Sequence, residues 1–164
     1  MSACIIPVAP DFQDPPTQPD APPTISNLNP PHFGLVFSIT DSFDFTASVS
    51  DPDPGTTLSI RWTVDYPPYT ANTWINNGMP VSPLAPNEPI VSRRVGQTID
   101  CTSIYDRSTS AHRLQLMVTD GEFVTADLSQ PYSLDQLKGS GTVVYAYWPI
   151  NITCSQAPPP QSTP

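Results

Sequence analysis

Two aspartates separated by a single proline, Asp51 and Asp53 in the run SDPDPG, are the residues of this chain best suited by type and spacing to do chemistry. Calcium takes six to eight oxygen ligands, several of them carboxylates. Asp120, Glu122 and Asp127 of a later segment add oxygen donors if the two loops meet at one end of the fold. Against a metal, Pro52 and Pro54 stiffen the first loop, and the residue after Gly55 is Thr56 rather than an acid. The plainer role, a turn capped by Asp side chains bonding to the backbone two residues on, is the expected one. Asp51, Asp53 and Asp120 are therefore the candidate calcium ligands, and no other cofactor is expected.

Catalysis finds little footing. His32 and His112 are far apart in sequence and neither lies in a nucleophile motif. GxSxG, HExxH and a glycine-rich phosphate loop are absent from the sequence. Glu88 and Glu122 are the only glutamates, and Glu88 sits among prolines, so a paired-carboxylate glycosidase is unsupported. The net charge of −9 with six basic residues, only Arg93 and Arg94 adjacent, argues against a nucleic-acid partner. Aromatic residues give a better lead. Tyr66, Tyr69 and Trp74 crowd one proline-rich loop and are the candidate binding residues, since aromatic, polar surfaces suit protein or glycan contact. Tyr145, Tyr147 and Trp148 crowd the last strand, where alternation turns the two tyrosines to one face and Trp148 to the other.

The elements that must position these residues show as a period of two. Phe43, Phe45, Ala47 and Val49 alternate with polar residues, and Leu58, Ile60, Trp62 and Val64 do so on the far side of DPDPG. The two rows face one core, with Trp62 its largest piece. The 23 prolines lie thickly at both ends and in the middle, and no window keeps apolar residues at helical spacing without Pro or Gly. Residues 23–28 read as a first edge strand, 32–39 as a second apolar run, and 66–89 as a long loop anchored by Trp74-Ile75 and Pro80-Val81. Residues 90–101 hold a β-type run. Residues 113–118 alternate cleanly into Thr119-Asp120-Gly121, a hairpin signal, with the return beginning at Phe123. Residues 134–137 suggest a single helical turn. Residues 141–154 form the last strand, where Pro149 predicts an edge or a bulge.

The amino terminus resembles the end of a bacterial lipoprotein signal. Ser2-Ala3-Cys4 fit the last three positions of its cleavage box, with Met1 in the place of the box's leucine. The resemblance implies lipid on Cys4, export, and a site at the outer membrane or cell surface. Residues 1–23, with seven prolines after Cys4, then form a tether in extended polyproline II. At about 3.1 Å per residue it reaches up to about 60 Å from a membrane. An exported domain sits where disulfides persist, and Cys101 and Cys154 are the remaining pair. The rival metal site lacks a nearby His or CxxC spacing. Residues 43–65 with 113–121 are similar to bacterial Ig-like domains of the PKD and cadherin-like type. The matching motifs are VSDPD, the Trp-bearing SIRWTVD and the late LMVTDG, and the spacing of Asp51 and Asp53 is that of cadherin-like DxD loops.

The expectation is an all-β, Ig-like antiparallel β-sandwich of seven or eight strands over residues 24–154, with disordered proline-rich termini, the second being residues 155–164. The expected function is non-enzymatic: a cell-envelope lipoprotein that binds an envelope or cell-surface protein, or serves as a structural module, on its stalk. A carbohydrate-binding module and a calcium-dependent adhesion module are the alternatives.

Overall fold

The alternating rows on either side of DPDPG form strands, and they cross from one sheet to the other. Residues 20–31, 37–39, 42–104 and 110–152 are described by the structure, a computed structural model, with residues 37–39 known by their backbone alone. Strand β3 (Ser42–Asp51) buries Phe45, Ala47 and Val49, and strand β4 (Ser59–Val64) buries Ile60, Trp62 and Val64. The two strands belong to different sheets, so their apolar rows face each other across the core. Around them lie β1 (Thr24–Asn29), β2 (Phe37–Ile39), β5 (Trp74–Asn77), β6 (Ile90–Asp100), β7 (Ala111–Thr119) and β8 (Val143–Ile152).

One sheet has the order β1-β3-β6 and the other β2-β8-β7-β4-β5. All neighbours are antiparallel except β2, which runs parallel to β8. This is the two-sheet β-sandwich the alternation predicts, with β5 extending the sheet that carries the central tryptophan strand. Among the described residues no helix is long and apolar enough to cross a membrane.

The inter-sheet core is aromatic at its centre. Trp62 on β4 and Trp148 on β8 stack with ring centroids 5.8 Å apart, and Phe45 reaches across from β3 to meet Trp148 edge-on at 5.5 Å. Such pairs add about 0.5–1.5 kcal/mol beyond the area they bury. Trp148 is fully buried, and its indole N–H donates to the carbonyl of Pro30 at 2.8 Å. That bond answers the one polar atom a buried tryptophan carries.

Pro149 sits where its missing N–H costs nothing. The Ile152 N–H donates to Ser110 O, so alternation turns the odd-numbered amides of β8 away from β7. Strand β2 joins that outer side only from Ile150 onward. Residues 143–149 therefore form a free edge among the described residues, as the proline predicts.

Two local readings are corrected. The Thr119-Asp120-Gly121 signal does not open a tight hairpin: β7 and β8 are joined by residues 120–142, and Phe123 contributes only an isolated bridge to Leu137. Residues 134–137 make a turn rather than a helical turn. The reason for both is packing. This connection folds back over the outer face of the five-stranded sheet, where Phe123 and Leu134 pack with Met117 and Tyr66 in a second apolar cluster. Arg61, only 4% exposed, fastens it by donating to the carbonyls of Leu134 and Val124 and to Asn77 Oδ1, with its guanidinium 4.4 Å from the Phe123 ring centre.

Candidate functional site

Register places the candidate calcium ligands at one end of the sandwich. Thr24 pairs with Ser50, Asp51 with Ile90, and Ser59 with Thr119, so the start of β1 and the ends of β3 and β7 lie together. Asp51 is 1% exposed. Its Oδ1 accepts the Asp53 N–H at 2.8 Å, which is the turn-capping role expected of it. Its Oδ2 is buried and has no hydrogen-bond partner. Asp53 Oδ2 accepts the N–H of Ala21 at 2.8 Å, which ties the residues before β1 to this loop. Asp120 Oδ1 accepts the Thr142 N–H at 2.7 Å and the Thr119 hydroxyl at 3.3 Å, while its Oδ2 is buried without a partner. Gly141, at φ +141°, is required here because a Cβ would lie 2.7 Å from Asp120 Oδ1.

Asp20 joins the group, a placement that no local pattern of residues announces. Hydrogen bonding to the Asp53 carboxyl, then the charge of Asp120, raises its pKa above the ordinary value. Burial raises Asp51 likewise, and the charges of Asp53 and Asp120 add to the shift. Among the described residues no group of three or more His, Cys, Asp or Glu side chains is placed so that it could hold a metal ion, so the expected calcium set of Asp51, Asp53 and Asp120 is corrected to turn-capping and backbone-bonding roles. Glu122 and Asp127, also considered as oxygen donors, are engaged elsewhere. Glu122 pairs with Lys138, and Asp127 caps its own loop by accepting from the N–H and hydroxyl of Ser129 at 2.9 and 2.8 Å.

The candidate binding aromatics separate. Tyr66 is a correction: it is 1% exposed and lies in the second apolar cluster, its hydroxyl donating to Asp135 Oδ1 at 2.8 Å. Burial, followed by the contact with Asp135, raises its pKa. Tyr69 is half-buried against the same cluster, and Trp74 is half-buried against the inter-sheet core. The three therefore form no exposed platform. The connection 120–142 covers Tyr66, and its local sequence carried no signal of that cover.

An accessible aromatic surface lies instead on the outer face of β8. Tyr145 and Tyr147, 39% and 37% exposed, hold their rings nearly parallel with centroids 6.2 Å apart. The Arg113 guanidinium stands 5.7 Å from the Tyr147 ring centre, and Tyr145 donates its hydroxyl to Asp135 Oδ2 at 3.3 Å. Burial, then the Asp135 charge, pushes the Tyr145 hydroxyl up to about 12. Exposed Tyr132 and Leu128 of the 120–142 connection extend the apolar surface of this sheet's cover.

At the opposite end, Asp100 caps the 3-10 turn Cys101–Ser103, and its Oδ1 accepts from Thr102 N at 2.8 Å and Ser103 N at 3.2 Å. Cys101 is disulfide-bonded. Cys4, Cys154, His32, most of the tether and the tail lie outside the described residues. His112 is the second residue of β7, with Nδ1 2.6 Å from Asp65 Oδ2. No protein-family model matches this chain, and a search of curated proteins returns no match.

Proposed function

We propose that this protein is a non-enzymatic binding or structural module of the cell envelope. In this reading it is an exported lipoprotein of the outer membrane or cell surface, anchored through Cys4 and held off the membrane by residues 1–23. Membership of the PKD and cadherin-like group and a Cys101–Cys154 bridge belong to the same proposal. The bridge is supported by register: Ser42 pairs with Asp100 and Ile39 with Ile152, which brings the ends of β6 and β8 to one end of the sandwich.

The observation that carries the binding role is the outer face of β8. Tyr145, Tyr147 and Arg113 combine accessible ring area with a cation, the residue types enriched where proteins meet. The neighbouring edge, residues 143–149, offers outward backbone amides that have no partner strand among the described residues and to which a partner strand can add. We therefore assign the partner as an envelope or surface protein docking on β8.

The test begins with the intact mass of the protein from its native membrane, with and without reductant. Lipid mass on Cys4 and two protons gained on reduction are expected, and an unmodified Cys4 overturns the anchor. A photocrosslinking residue at Tyr147 should then capture a protein that the same residue at exposed Val91 on β6 does not. Equal capture at both positions, or a glycan-only ligand lost in Tyr147→Ala, overturns the protein-docking assignment.

A further inference from the structure

Arg61 carries a buried charge that no opposite charge answers. It is 4% exposed, and its guanidinium donates to the carbonyls of Leu134 and Val124 and to Asn77 Oδ1, three neutral oxygens. The ion pairs among the described residues are those of His112 with Asp65 and of Lys138 with Glu122, so none reaches Arg61. Burial lowers its pKa, as removal from water does to a cation without a counter-charge. A carboxylate is the group this site lacks, and one of its three acceptors can become one.

Asn77 is the only asparagine of the chain that precedes a glycine. In such a pair no side chain shields the glycine nitrogen, which can attack the asparagine's own Cγ. Gly78 is required here for packing, since a Cβ would lie 2.9 Å from Ile60 Cγ2, so the reactive pair is built into the fold. Asn77 is exposed and ends β5, the four-residue edge strand of its sheet. The Gly78 N–H donates to Ile60 O at 3.0 Å, one step beyond the last ladder pair, Arg61 with Asn77. Bonds at the end of a short edge strand open at low cost, which frees this nitrogen. A cleft of about 190 Å³, lined by Ser59, Asn77, Gly78, Glu122 and Phe123, brings water to the pair.

We propose that Asn77 is a self-modification site, at which deamidation supplies the carboxylate that Arg61 lacks. The Gly78 nitrogen adds to Asn77 Cγ, the Cγ–Nδ2 bond breaks, and ammonia leaves with the proton from Gly78. Water then opens the succinimide ring, giving its hydroxyl to a carbonyl carbon and a proton to the Gly78 nitrogen. Opening at Cγ yields aspartate, whereas opening at the main-chain carbonyl yields isoaspartate and lengthens the backbone by a methylene. Arg61 Nε, 2.8 Å from Oδ1, stabilises negative charge on that oxygen as the ring closes, and afterwards holds the aspartate carboxylate. A longer backbone would break the register of Asn77 with Arg61, so aspartate is the favoured product in the folded chain. The new ion pair ties β5 to the 120–142 connection, which the same guanidinium already holds at Leu134 and Val124. The reaction goes beyond the envelope reading and needs neither lipid nor partner.

The experiment incubates the full recombinant chain, folded and in urea, at physiological temperature and mildly alkaline pH, followed by peptide mass mapping and thermal unfolding. The folded chain should convert Asn77 to aspartate with isoaspartate the minor product, while the chain in urea gives mostly isoaspartate. Tm should rise with conversion, by about 3–8 °C when it is complete, and Asn77→Asp should show that rise from the start. Asn77→Gln, whose longer side chain closes a ring far more slowly, should neither convert nor gain stability. Asn76, which donates to Gln97 of β6, should stay an amide. An amide intact at position 77 after the chain in urea has fully converted overturns the site, as does equal conversion of Asn76. The same product ratio in both states also overturns it, in favour of ordinary ageing that Arg61 does not direct. Asn77→Asp melting at or below the parent overturns the missing counter-charge and the proposal with it. None of these results bears on lipid at Cys4 or docking at β8.

Discussion

Asp51 and Asp100 close opposite ends of the same antiparallel pair, β3 and β6, and their carboxylates meet opposite surroundings. Asp100 gathers the N–H groups of Thr102 and Ser103 and the Thr102 hydroxyl on one oxygen. The Thr102 hydroxyl, with these backbone donors, holds its carboxyl below the ordinary range. Asp51 has one backbone donor and two like charges near it, and its pKa moves the other way. One end is satisfied from within the chain, and the other has acceptors to spare. The same side chain thus has its pKa lowered or raised, depending on whether donors or carboxylates surround it.

This contrast can be tested from its strongest link downward. Cys101 follows the Asp100 cap and is cross-linked. If its partner is Cys154, Cys101→Ser should cost about 3–4 kcal/mol in urea unfolding by the loop-entropy account. An unchanged midpoint would show that the capped end owes nothing to the bridge. Asp100→Ala should cost about 1 kcal/mol, the usual loss of a side-chain cap, read from the same unfolding curves.

The pH dependence of Asp100 has a definite sign. Its folded pKa lies below the unfolded one, so its stabilisation is present above the unfolded value and is lost as pH falls through the folded value. The parent should therefore lose stability below about pH 4 more steeply than Asp100→Ala, as measured by denaturant midpoints across that range. The smallest effect belongs to the other end. Asp51→Asn should change stability by no more than about 0.5 kcal/mol, and upward, because Asn keeps the acceptor for Asp53 N–H and removes a like charge. A loss of about 2 kcal/mol or more would mean that the Asp51 carboxylate is already satisfied, and the contrast between the ends would fail.

Much of the sandwich was legible residue by residue. The rows ending at Val49 and Val64, and the run from Leu114 to Val118, show the period of two that a sheet packed on one face imposes, and each became a strand, with Phe43 at the start of the first row left exposed and Leu58 buried just before β4. Pro149 falls where β8 has no strand opposite its outward amides among the described residues, a place that tolerates a missing N–H. Where reading failed, the neighbour was distant in sequence. Tyr66 follows β4 in a polar, proline-rich run that reads as surface, yet Phe123 and Leu134 cover it from residues 120–142. The same cover defeated the hairpin expected at Thr119-Asp120-Gly121, since two apolar residues with a buried arginine to meet were drawn over the sheet instead.

The acidic end divides in the same way. Asp51 and Asp53 were visible as a pair because two residues of separation in one loop is a local fact, and Asp120 because it ends an alternating strand. Asp20 was not, since its place depends on β1 lying against β3, a contact between segments about 25 residues apart. The sequence alone determined which residues are apolar, where the strands run and where prolines forbid pairing, because periodicity and missing N–H groups act within a few residues. Only the tertiary structure decided which carboxylates share one end, which aromatics remain exposed and what lies over the outer sheet. Those outcomes depend on burial and charge between groups that the chain brings together only once it has folded.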